Sequence, residues 1–154
     1  MKYAYFTGCV TPQRENAYEA SARKVLEKFG IELIDLEGQS CCGFFLGAVD
    51  HLSGAALAAR NLSLAEETGC NMLTLCPTCS GHLIRVKAEL LQDSKFRNSI
   101  NQALKEINRK FEGSSEVKHL ARVLVEDVGV EEIRKTVIKP LKQLRWLHTT
   151  DVIL

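Results

Sequence analysis

Apolar and polar positions along the first ninety residues alternate between two periods. "KYAYFT" (2–7) reads as a strand that ends at Gly8-Cys9. "ENAYEASARKVLEKFG" then sets Ala17, Ala20, Val25, Leu26 and Phe29 at helical spacing and stops at Gly30. "IELIDLEG" alternates Ile31 and Leu33 with Glu32, a second strand ending near Gly38. Residues 49–68 form an Ala/Leu-rich helix closed by Gly69. "NMLTLC" is a third strand before Pro77, and "CSGHLIRVKAELL" is a helix that begins at the cysteines. Beyond it, residues 94–111, 117–128 and 130–138 read as three amphipathic helices without intervening strands, with "FEGSSE" (111–116) as the linker-like stretch.

Alternating strands and helices predict an α/β domain: a small, largely parallel sheet with flanking helices and a C-terminal helical extension. A chain of 154 residues is long enough for one such core. Composition changes the picture little. Hydrophobic content of 45% and charged content of 25% are ordinary globular values. A formal net charge of +1 leaves no basic footprint for nucleic acid. No apolar run approaches the ~20 residues of a membrane span. "MKYAYFTGC" lacks the apolar core and cleavage site of a signal peptide, so the expected compartment is the cytoplasm, where thiols stay reduced.

Six cysteines in such a chain point to metal binding or thiol chemistry. Cys9 follows the first strand, Cys41-Cys42 the second, and Cys76-x-x-Cys79 the third. In a parallel sheet these are the C-terminal ends of neighbouring strands, the edge where open α/β folds build their sites. Gly8 and Gly43 allow positive φ or close approach beside them. Pro77 suits a first helical turn, so the CxxC pair sits at a helix N-terminus, where exposed N–H groups stabilise thiolates. Five thiols exceed the four ligands of a structural zinc site, whereas an iron–sulfur cluster has several irons to share among them.

Other readings stand beside this one. "CPTC" after a strand and opening a helix is also the form of a thioredoxin-like redox pair. A zinc site and a set of unrelated buried cysteines are two more. Cys70, six residues before Cys76, falls roughly 20 Å away at the opposite end of the third strand and reads as a packing cysteine. His82 could bond a cluster sulfur, but a surface or capping role is favoured. His119 is expected on a helix in a structural role, His51 and His148 show no ligand spacing, and Asp35 and Glu37 read as solvated carboxylates.

The pattern "GC" at 8–9, "CCG" at 41–43 and "CPTC" at 76–79 resembles the cysteine-rich CCG domain. That domain occurs in the B subunit of heterodisulfide reductase and in iron–sulfur subunits of glycolate, lactate and succinate-type oxidoreductases. "YAYFTGC", "CCGFF", "CPTCSGHL" and "VKHLARVLVEDVG" look most like the heterodisulfide reductase member, and the resemblance runs to about residue 144. It implies that Cys9, Cys41, Cys42, Cys76 and Cys79 hold a four-iron four-sulfur cluster of non-cubane form. It also implies reduction of the coenzyme M–coenzyme B disulfide between two such clusters, with electrons from a partner iron–sulfur subunit.

A full-length heterodisulfide reductase polypeptide of this type repeats the pattern, and this sequence carries it once. After "VIKPLKQL" it reads "RWLHTTDVIL". Residues 1–144 are therefore expected to form a single CCG domain, and residues 145–154 an atypical, frameshifted tail with an exposed Trp146. Two functions follow: half of a disulfide-reducing catalytic subunit, or a single-cluster electron-transfer or scaffold module docked on another subunit.

Overall fold

The strand-forming runs condense into four short parallel strands: β1 (Lys2–Phe6), β2 (Glu32–Asp35), β3 (Asn71–Thr74) and β4 (Val117–His119). The computed structural model describes residues 1–140; the tail from Arg145, with Trp146 and His148, lies outside the described residues. The sheet order is β2-β1-β3-β4. Tyr3 pairs with Leu33 on one side of β1 and with Asn71 on the other. After β1 the chain first builds outward to β2 and then returns to lay β3 on the opposite side. That reversal opens a crevice beyond the carboxyl ends of β1 and β3, the topological switch point of an open α/β sheet.

Both sheet faces are covered, as parallel strands require. On one face Ala4, Phe6 and Met72 meet α4 (His51–Glu67), α5 (Pro77–Gln92) and α6 (Ser94–Lys105) through Leu62, Leu83, Val86 and Ile100. On the other, Tyr3, Tyr5 and Leu73 meet α2 (Asn16–Lys28), which follows the short α1 (Thr11–Arg14), through Ala22 and Leu26, together with Leu120 and Val123 from the C-terminal part. Neighbouring strand residues thus serve opposite cores, the period-2 pattern of a strand.

Three elements differ from the sequence reading. The 49–68 helix is preceded by a separate turn, α3 (Phe44–Gly47), because Asp50 caps α4 by accepting the Ser53 N–H at 3.3 Å. Residues 117–119 are a strand, not the start of a helix; Met72 and Leu73 of β3 pair with Val117 and Lys118. The chain turns helical only after it, through α7 (Leu120–Arg122), a π-helical stretch (Val123–Val128) and α8 (Val130–Thr136). Nor is 111–116 a free linker. The Glu66 carboxylate accepts the backbone N–H groups of Glu112, Gly113 and Ser114, and the Asn101 side chain bonds both backbone groups of a fully buried Phe111. These anchors deliver β4 to the edge of the sheet.

Candidate metal centre

Each cysteine named from the strand ends reaches the crevice. A cavity of about 170 Å³ is lined by Cys9, Cys41, Cys42, Cys76 and Cys79, with Thr7, Thr11, Thr78, Val10, Phe44 and Phe45 completing its wall. At a liquid-water share of about 30 Å³, that space suits a group of some half-dozen atoms rather than one ion. All five cysteines are free thiols; Cys42 and Cys79 are buried, Cys41 and Cys76 half-buried, and Cys9 stands exposed at the mouth.

Local chemistry sets each position. Cys76 is the N-cap of α5: its Sγ accepts the Cys79 backbone N–H at 3.4 Å, with Pro77 in the first turn. Gly8 takes φ +70° as β1 leaves the sheet, and a side chain there would place its Cβ 3.2 Å from Cys79 Sγ. Gly43 takes φ +91° and starts α3 directly against the Gly54 backbone of α4. The β1 and β2 exits are tied together by the Thr7 N–H, donated to Gln39 Oε1 at 2.8 Å.

The thiols are not equivalent. The Cys79 thiol, shared with Cys76 Sγ, pulls the Cys76 pKa down to about 5 against the opposing effect of burial; N–H groups of Cys79 and Thr78 add to the pull. Cys79 likewise brings Cys42 down to about 7, again against burial. As the donor to both, Cys79 is itself held far above an ordinary thiol. Burial raises Cys41. The cavity thus offers two soft thiolate donors near neutral pH and three more thiols beside them. Among the described residues, no three His, Cys, Asp or Glu side chains are arranged to hold one metal ion.

Other positions fall elsewhere. Cys70 precedes β3 at the opposite end of the strand, where its carbonyl accepts the Ser115 hydroxyl at 2.8 Å. His119 is structural, but as the last residue of β4: its ring bonds the Leu75 carbonyl and accepts the Ala121 N–H. His51 lies near Glu89 at 2.8 Å and stacks on Phe96. Asp35 pairs with Arg23, and Glu37 is exposed. His82 contradicts the surface role favoured for it, because α3 and α4 close over it and leave it only 5% exposed. Sequence reasoning also missed Asn61. Fully buried on α4, it accepts the Ser40 N–H at 3.0 Å and donates to the Cys41 carbonyl at 3.0 Å, clamping the backbone that carries the cysteine pair. A polar residue on the Ala58–Leu62–Ala65 stripe was the available signal.

Residues 3–84, which contain every one of these thiols, match the model of the cysteine-rich domain, CCG. The chain belongs to the CCG domain family. Curated relatives include a protein of Archaeoglobus profundus that is like the B subunit of heterodisulfide reductase, 36% identical over 139 residues, covering 89% of this chain and 46% of the relative. The B subunit of the ferredoxin/F(420)H(2)-dependent CoB-CoM heterodisulfide reductase of Methanosarcina acetivorans is 34% identical over 96% of this chain and 50% of its own length. The 8-methylmenaquinol:fumarate reductase membrane anchor subunit of Wolinella succinogenes is 39% identical over 94% of this chain and 50% of its own. The chain therefore spans about half the length of the curated relatives it matches. A crystal structure of a hypothetical protein from Helicobacter pylori shares the fold, with a TM-score of 0.72 at 23% identity, over 81% of this chain and 25% of that one. Among the described residues, no helix is long and apolar enough to cross a membrane.

Proposed function

We propose that this CCG domain is an iron–sulfur subunit of a heterodisulfide-reductase-type oxidoreductase. In this reading, Cys9, Cys41, Cys42, Cys76 and Cys79 hold one four-iron four-sulfur cluster. The observation that carries it is the convergence of five thiols from three strand ends on one cavity at the switch point. The donor set fits: soft thiolates suit iron and sulfide, and the space exceeds that of a single zinc ion. When bound, the cluster would supply one-electron redox chemistry.

The residues around it have their own tasks. Cys76 and Cys42 present thiolates near neutral pH, Asn61 holds the Cys41 backbone, and Val10, Phe44 and Phe45 give the mouth an apolar rim that limits water. The proposed domain covers residues 1–144, the proposed partner is an iron–sulfur electron-donor subunit, and the proposed substrate is the coenzyme M–coenzyme B disulfide. The Wolinella relative favours a second reading, a single-cluster electron-transfer module of another oxidoreductase complex.

Anaerobic loading with iron and sulfide followed by chemical reduction separates the two. Reoxidation of two one-electron-reduced chains per disulfide cleaved, with two protons taken up to give two thiols, supports the reductase reading. Reversible reduction with the disulfide left intact supports the relay.

A further inference from the structure

Among the described residues, two buried side-chain polar atoms lack a hydrogen-bond partner: the Tyr5 hydroxyl and His82 Nε2. Tyr5 lies on the far core, its ring under the Arg23 guanidinium at 4.5 Å. His82 lies on α5 one turn beyond Cys79 and packs against Phe44, which lines the thiol cavity. Its protonation follows from Arg85, whose guanidinium stands 3.2 Å from Nδ1. A guanidinium only donates, so Nδ1 accepts and the ring proton sits on Nε2. Burial, then the Arg85 charge, hold the imidazole neutral.

The surroundings of that proton are specific. The ring meets Phe44 edge-on, with centroids 5.8 Å apart and planes at 84°. A Cβ on Gly47 would lie 3.6 Å from its Cε1. Gly47 is itself pressed against Gly54, and the Gly54 carbonyl faces the ring without completing a hydrogen bond. The imidazole therefore stands between α5, which carries Cys79, and the Gly43–Gly47 turn, which follows Cys42 directly. An apolar side chain of that size would fill the same space at no cost in unsatisfied polarity. The buried donor needs another reason.

We infer that His82 is a positioning residue for the Cys41-Cys42 turn: its ring packs between the CxxC helix and the α3–α4 turn, and its Nε2–H is offered to the Gly54 segment of α4. The inference rests on the proposal that the thiols bind a cluster. Groups that orient ligands from behind typically change metal retention by about 10–100-fold when removed. Closing that bond to the Gly54 carbonyl would fix where Cys42 presents its sulfur relative to Cys79.

The test compares His82→Phe, which keeps a ring without the donor, with His82→Gln, which keeps a donor without the ring. After anaerobic loading with iron and sulfide, His82→Phe is expected to lose iron to a chelator about tenfold faster than the parent, with an altered electron paramagnetic resonance spectrum and a shifted potential. His82→Gln is expected to restore most of the parent's behaviour, and both are expected to melt close to it. Parent-like iron retention and spectra in His82→Phe overturn the inference. So do equal losses in both variants that track only a lower Tm. If the parent itself takes up no iron, the cluster proposal fails instead, and alkylation of the metal-free protein decides. Severalfold faster Cys42 labelling in His82→Phe, reversed in His82→Gln, supports the positioning role, and unchanged labelling ends it.

Discussion

Gly8 and Cys79 sit so close that a Cβ at Gly8 would come within 3.2 Å of the Cys79 sulfur. The first strand's exit and the CxxC helix are thus fitted to each other at the backbone level. Gly8→Ala meets that contact and a φ of +70° together, so it is expected to cost about 1–2 kcal/mol in urea unfolding and to change the alkylation rate of Cys79. Gly81→Ala, in the α5 helix with open space around it, is the control, expected to stabilise by about 0.5–1 kcal/mol.

Asn61→Ala removes a buried clamp and leaves the Ser40 N–H and the Cys41 carbonyl without their partner. The expected loss is about 2–3 kcal/mol in chemical denaturation. Labelling of Cys41 should accelerate at the same time, because its backbone is no longer held. A variant with parent stability would show that the loop is fixed by other contacts.

The placement of the five thiols was legible because each strand ends in turn chemistry that a sequence displays: Gly8-Cys9, Cys42-Gly43 and Cys76-Pro77. In a parallel sheet those ends share one edge whatever the order of the strands. What escaped the reading depends on contacts distant in sequence. β4 is three residues long, its "VKH" merges into the helical pattern of "LARVLV", and its pairing with Met72 and Leu73 is a tertiary event. His82 is buried only because Gly47 and Gly54 let α3 and α4 close over it, which periodicity along α5 does not reveal. The "FEGSSE" stretch is polar enough to read as a linker, yet it is tied down by Glu66 from a helix more than forty residues earlier.

The inequality of the thiols predicts distinct pH profiles in the metal-free, reduced protein. Labelling of Cys76 should rise with a midpoint near pH 5 and that of Cys42 near pH 7, while Cys41 reacts only above the range of an unperturbed thiol. Because the folded Cys76 pKa lies below the free value of about 8.5, its contribution to stability is complete above that value. It is lost as pH falls through about 5. Rate profiles from mass spectrometry that share one midpoint near the free-thiol value would contradict the arrangement.

Ligand and bystander cysteines should separate cleanly. Cys42→Ser is expected to abolish or strongly weaken iron retention, since it removes a buried thiol from the cavity wall. Cys70→Ser, at the other end of β3, is expected to leave iron content and spectra unchanged at a modest packing cost. Similar behaviour of the two would mean that the cavity is not where the metal binds.

The central claim, a thiol cavity built for a multi-iron group, is tested most directly by metal and acid-labile sulfide analysis of protein purified without exposure to air. About four irons per chain with matching sulfide is the expected result. Stoichiometric zinc without iron or sulfide would contradict it.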